Sequence, residues 1–100
     1  MAGESKLEKY FRKEARKLGA EVRKVKWIEH NGAPDRLLLF YGIFFIEFKD
    51  AGKPLRTNQA REHGKLNEHG VIVLTIDTKE KADLILMAMK QHAETQGLTT

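Results

Sequence analysis

Three side chains in the middle of the chain, Asp35, Glu47 and Lys49, place two carboxylates and one ammonium group at a spacing suited to metal-assisted hydrolysis. Asp35 and Arg36 lead into an apolar run, Leu37 to Tyr41. Glu47 and Lys49 close a second run that begins at Ile43, with Gly42 between the two. Alternate residues of a strand share a face, so Glu47 and Lys49 project together while Phe48 points the other way. A three-residue turn over Tyr41-Gly42-Ile43 would pair Phe40 with Phe44 and set Asp35 opposite Lys49. Asp35 and Glu47 would then be diagonal neighbours, roughly 7–8 Å apart at the backbone. A two-residue turn would shift that pairing. An ion pair of Lys49 with one of the acids is the purely structural reading. One lysine cannot neutralise two carboxylates, however, and an unpaired carboxylate at the edge of an apolar core is costly. Two rigidly held oxygen ligands with open coordination positions suit Mg²⁺ (or Mn²⁺), which keeps several waters and works on phosphates. The Phe48 carbonyl offers a third oxygen.

The elements that must position these groups are legible from periodicity. Residues 5–18 read as a helix, with Leu7, Tyr10, Phe11, Ala15 and Leu18 on its apolar stripe. Ser5 and Glu8 make a capping box, and Gly19 is a C′ residue. Ala20 to Ile28 reads as an edge strand marked by Val22, Val25 and Trp27, the last a half-buried core residue in preference to a base-stacking one. Glu29 to Gly32 form a loop, and His30 within it is an exposed residue outside the catalytic set. The runs flanking Gly42 are apolar on both faces, as expected of central strands covered on both sides. Asp50 to Arg56 form a second loop, and Thr57 caps a helix through Glu68 that ends at Gly70. Val71 to Ile76 is a buried strand. Asp77 or Thr78 caps a last helix, roughly 79–92, whose stripe is Ala82, Ile85, Leu86 and Met89, with Met87 and Met89 filling core. Residues 91–100 read as a frayed polar tail. Helix, three strands, helix, strand, helix is an α/β order with a mixed sheet covered on both faces, in one domain over residues 1–100.

Composition narrows the function classes. The chain is 41% apolar and 32% charged, which fits a folded domain. No apolar run approaches the ~20 residues of a membrane helix, and no secretory signal opens the chain. The absence of cysteine excludes disulfides and thiolate metal sites and permits a cytoplasmic location. The net charge of +4 is modest, but its placement is informative. Arg23, Lys24 and Lys26 precede the acidic groups, Arg36 sits beside Asp35, and Lys53, Arg56 and Arg61 follow. A negative pocket between basic segments suits a polyanion cleaved with a metal, so these basic residues, Lys24 aside, are the candidate nucleic-acid contacts. Zinc fits poorly, because His63 and His69 lie six apart, without helical ligand spacing.

Pro34-Asp35 followed by Glu47-Phe48-Lys49 resembles the PD-(D/E)XK nuclease superfamily. The wider frame is the acidic first helix, Gly32-Ala33-Pro34-Asp35-Arg36, Phe45 to Lys49, and Leu55-Arg56-Thr57-Asn58-Gln59 on a helix ending in Gly. It resembles the stand-alone viral VRR-NUC proteins, relatives of Holliday-junction resolvases, from about Glu4 to Ile76. The resemblance implies a restriction-endonuclease-like αβββαβ core. It implies that Glu8, or failing that Glu4, completes a Mg²⁺ or Mn²⁺ site with Asp35, Glu47 and the Phe48 carbonyl. Gln59 would lie near the attacking water beside the catalytic Asp35, Glu47 and Lys49. The expected substrate is branched DNA, a four-way junction or flap, and two symmetric cuts would require a homodimer. A domain of ~100 residues has no spare module for reading a long base sequence, which agrees with shape recognition. The alternative is a non-catalytic nucleic-acid-binding module on a nuclease fold.

Overall fold

The computed structural model describes residues 4–95, in the order α1 (Lys6–Lys17), β1 (Glu21–Lys24), β2 (Arg36–Leu39), β3 (Ile43–Phe48), α2 (Thr57–Glu68), β4 (Val73–Ile76) and α3 (Lys79–Thr95). One sheet runs β1-β2-β3-β4, antiparallel through the first three strands and parallel between β3 and β4. This is the mixed-sheet α/β architecture expected from the element order. The parallel ladder is framed by Phe45 N–H donating to the Ile72 carbonyl and Lys49 N–H to that of Ile76. A parallel neighbour needs a crossover, and α2 supplies it.

The pleat divides the sheet into two chemical faces. Leu38, Ile46 and Ile76 face α1 and α3, where they meet Phe11, Ala15, Ala82, Leu86 and Met89 in the buried core. Phe11 packs edge-on against Phe48, with ring centroids 6.0 Å apart. Burying each such large side chain stabilises the fold by about 1.5–3 kcal/mol, so this layer carries most of the packing energy. The opposite face carries Leu37, Phe45 and Glu47 and meets Trp27 and α2. Among its own residues α2 buries only His63. It brings polar groups to the sheet more than it brings core.

Several boundaries differ from the sequence reading. Ser5 caps α1 by accepting from the Glu8 N–H, as expected, but the Glu8 side chain does not return to the backbone; it pairs with Arg36. β1 stops at Lys24, although Val25 N–H still donates to the Asp35 carbonyl. Arg56, not Thr57, is the N-cap of α2. Thr78 caps α3, its hydroxyl accepting from Lys81 N–H. α3 continues to Thr95, so residues 91–95 are helical where a frayed tail was expected; residues 96–100 lie outside the described set. Met89 is core, but Met87 is 59% exposed.

The largest correction concerns the hairpin. Leu39 pairs with Ile43 and Leu38 with Phe44, so the three-residue loop is Phe40-Tyr41-Gly42, one residue earlier than Tyr41-Gly42-Ile43. Tyr41 takes a left-handed φ of 50°, and Phe40 N–H donates to the Gly42 carbonyl at 3.0 Å. The turn keeps its length but moves by one residue, which shifts the strand register by two. A shift of two preserves every side chain's face, so Asp35 and Glu47 remain on one side. The register now sets them directly opposite.

Candidate active site

Asp35 is held from two directions. The Trp27 indole N–H donates to the Pro34 carbonyl at 2.7 Å, and Pro34 is fully buried. Gly32, at φ +90°, lies so close to the Asn58 and Gln59 backbone that no side chain would fit between them. The loop before Asp35 is thereby seated on the N-terminus of α2. Directly opposite residues in an antiparallel pair have Cβ atoms about 5 Å apart, which brings the two carboxylates into electrostatic contact. Lys49 lies on the same face, and its Nζ donates to Gln59 Oε1 at 3.2 Å. Gln59 Oε1 also accepts from Arg56 N–H at 3.0 Å, so one carbonyl ties the lysine to the helix start. The pocket at this sheet end, about 480 Å³, is lined by Glu8, Asp35, Arg36, Glu47, Phe48, Lys49, Asp50 and Asp77, among others.

Glu47 bears the electrostatic strain of this arrangement. Burial, and next the charge of Asp35, push its carboxyl up to about 7, against the pull of Lys49, Arg36 and Arg56. A folded value above the unfolded one means the native state binds the extra proton. Glu47 therefore costs stability above about pH 7, and the cost fades as pH falls towards 4.5. Glu47→Gln is expected to raise the melting temperature by several degrees at pH 8 in EDTA and to leave it unchanged near pH 4. Equal melting of the two proteins at pH 8 would show that the carboxylate is not strained.

That strain is what a cation would relieve. Two hard oxygen donors and the neighbouring Phe48 carbonyl fit Mg²⁺ or Mn²⁺, whose remaining positions water would fill. Among the described residues no group of three His, Asp or Glu side chains could hold a metal ion. Glu8 is buried in α1 and paired with Arg36, so it lines the pocket with its charge already answered. Glu4 pairs with Arg12.

No family model matches the chain. It is 31% identical over 84 residues to "Putative nuclease p44" of Acyrthosiphon pisum secondary endosymbiont phage 1, a match covering 82% of this chain and 90% of that protein. A solved structure of a VRR-NUC domain superposes with a TM-score of 0.76 at 29% identity, covering 84% of this chain and 94% of that one. The chain belongs to the VRR-NUC nuclease family.

Within this VRR-NUC fold, the structure gathers Asp35, Glu47, Lys49 and Gln59 at one sheet end, with Glu8 across the pocket. The basic candidates divide into two kinds. Lys26, Lys53, Arg56 and Arg61 are exposed and, among the described residues, form no ion pair. Arg23 is exposed but pairs with Glu21 at 2.8 Å. Arg36 is only 13% exposed and is engaged by Glu8 and Asp35. It lines the pocket, but it is not a free surface cation.

Sequence reasoning missed three residues here. Asp50 and Asp77 line the pocket, and the sequence reads the latter only as a helix cap. His63 is 5% exposed, with Nε2 3.6 Å from Glu47 Oε1. A signal existed for the histidine: it follows Gln59 by four residues, which puts both on one helical face. No helix among the described residues is long and apolar enough to cross a membrane.

Proposed function

We propose that this VRR-NUC protein is a divalent-metal-dependent endonuclease that hydrolyses phosphodiester bonds in branched DNA, such as four-way junctions or flaps. The observation that carries the reading is the opposed pair Asp35 and Glu47, with Lys49 on the same face, in one open pocket. Asp35, Glu47 and the Phe48 carbonyl would hold Mg²⁺ or Mn²⁺. When bound, such an ion supplies Lewis-acid stabilisation of phosphoryl charge and activation of water. Lys49, steadied by Gln59, orients the attacking water and offsets charge gathering on the phosphate. Glu8 would join the ligands only by giving up Arg36. The exposed Lys26, Lys53, Arg56 and Arg61 contact the backbone phosphates, a sequence-independent interaction that agrees with recognition by shape.

Paired cuts across a four-way junction require two sites, and hence a homodimer. Ile43 on the hairpin, Ile72 before β4, and Leu84 and Met87 on α3 are exposed apolar residues that support such an interface.

Cleavage of labelled four-way junction, flap and linear duplex DNA in Mg²⁺, Mn²⁺ or EDTA tests the proposal. The expected result is junction- or flap-selective cutting that requires metal and is lost in Glu47→Ala. Binding without cutting under every condition would point to the non-catalytic module. Equal cutting of all three substrates would overturn the structural selectivity.

A further inference from the structure

α2 lies against β3 as a ruler with two marks. Gln59 and His63 are one helical turn apart, about 6 Å along the axis, and Glu47 and Lys49 are about 6.6 Å apart along the strand. The two spacings match, so the helix meets both strand residues at once: Gln59 Oε1 accepts from Lys49 Nζ, and His63 Nε2 stands 3.6 Å from Glu47 Oε1. The first contact is a hydrogen bond. The second falls short of one, and His63 Nε2 is a buried side-chain nitrogen without a partner. An unpaired buried polar nitrogen costs stability that an apolar side chain of similar size would not.

We propose that His63 is a positioning residue for the metal site: its imidazole, carrying a proton on Nε2, donates to Glu47 Oε1 and orients that carboxylate when Glu47 binds a divalent cation. The inference rests on the metal-binding reading of Glu47 given above. Its chemistry is that of an outer-shell partner, which fixes a ligand's orientation without touching the ion, and loss of such partners typically weakens metal binding about 10–100-fold. Lys49, on the same face as Glu47, is already held by Gln59.

The test is calorimetric titration of the DNA-free protein with Mn²⁺, which reads affinity without turnover, alongside thermal melting in EDTA. His63→Leu is expected to melt at or above the wild-type temperature and to bind Mn²⁺ about 10–100-fold more weakly. His63→Gln, whose side-chain amide reaches close to the Nε2 position, is expected to recover most of the affinity. His63→Met takes the place of the leucine variant should the latter not fold. Wild-type affinity in a folded variant without a donor would overturn the role of His63 alone, and so would a folded glutamine variant as weak as leucine. A wild-type protein that binds no Mn²⁺ would overturn the metal reading of Glu47, and the role of His63 with it.

Discussion

Lys49→Ala is expected to slow DNA cleavage by about 10²–10³-fold, the usual effect of removing one group that stabilises transition-state charge, while leaving DNA affinity close to wild type. Lys49 follows the last residue of β3, its backbone N–H bonded to the Ile76 carbonyl and its Nζ fixed by Gln59. It shares a sheet face with two opposed carboxylates and lines the same pocket, which in the proposed mechanism sets its ammonium where phosphate charge would build. In the proposed reading, DNA binding rests elsewhere, on Lys26, Lys53, Arg56 and Arg61, which are exposed and form no ion pair among the described residues. The substitution also removes one of the charges that hold the Glu47 carboxyl down, which further disfavours the ionised acid. Single-turnover cleavage and equilibrium binding on the same junction separate the two effects. Parallel losses of both would reduce Lys49 to a phosphate anchor.

The largest expected effect on stability comes from Gly32→Ala. A Cβ at this position would lie 2.7 Å from the carbonyl carbon and oxygen of Asn58 and 2.9 Å from Gln59 N. These are backbone atoms at the start of α2, so no flexible side chain can yield. The φ of +90° adds conformational strain for any L side chain. Strain of about 1–3 kcal/mol and overpacking of similar size together cost about 2–6 kcal/mol. For a domain of this length that lowers the melting temperature by roughly 10–50 °C. Gly19→Ala is the control. Its φ is +92°, with open space around the added methyl, so it isolates the backbone cost. Gly32→Ala is expected to melt well below Gly19→Ala, and equal melting of the two would show that the approach to α2 is not tight. A folded Gly32→Ala protein should also lose activity, because the loop carrying Asp35 and the helix start carrying Gln59 would be pushed apart.

Much of this site was legible in the sequence because strand parity is local. Glu47 and Lys49 share a face whatever pairs with them, and Asp35 joins that face under any even shift of register. The Ser5 cap, Gly19 beyond α1 and the apolar stripe of α3 were likewise readable from neighbours within a turn or two. The register itself was not, because it depends on Tyr41 accepting a left-handed φ, which nothing in a tyrosine announces. That one torsion turned Asp35 and Glu47 from diagonal neighbours into opposed ones.

The sequence by itself determined which residues carry charge, which face of each element they occupy, and the order of helices and strands. Tertiary structure decided the partners. Glu8 and Arg36 are 28 residues apart and meet only because α1 packs on the same sheet face from which Arg36 projects. His63 meets Glu47, and Gln59 meets Lys49, because Gly32 lets α2 approach the loop before β2. Side-chain periodicity follows from bond geometry within a few residues, whereas ion pairs and close approaches depend on how distant surfaces fit. Spacing could therefore name the carboxylates and the lysine, and only packing could show which neighbours hold them.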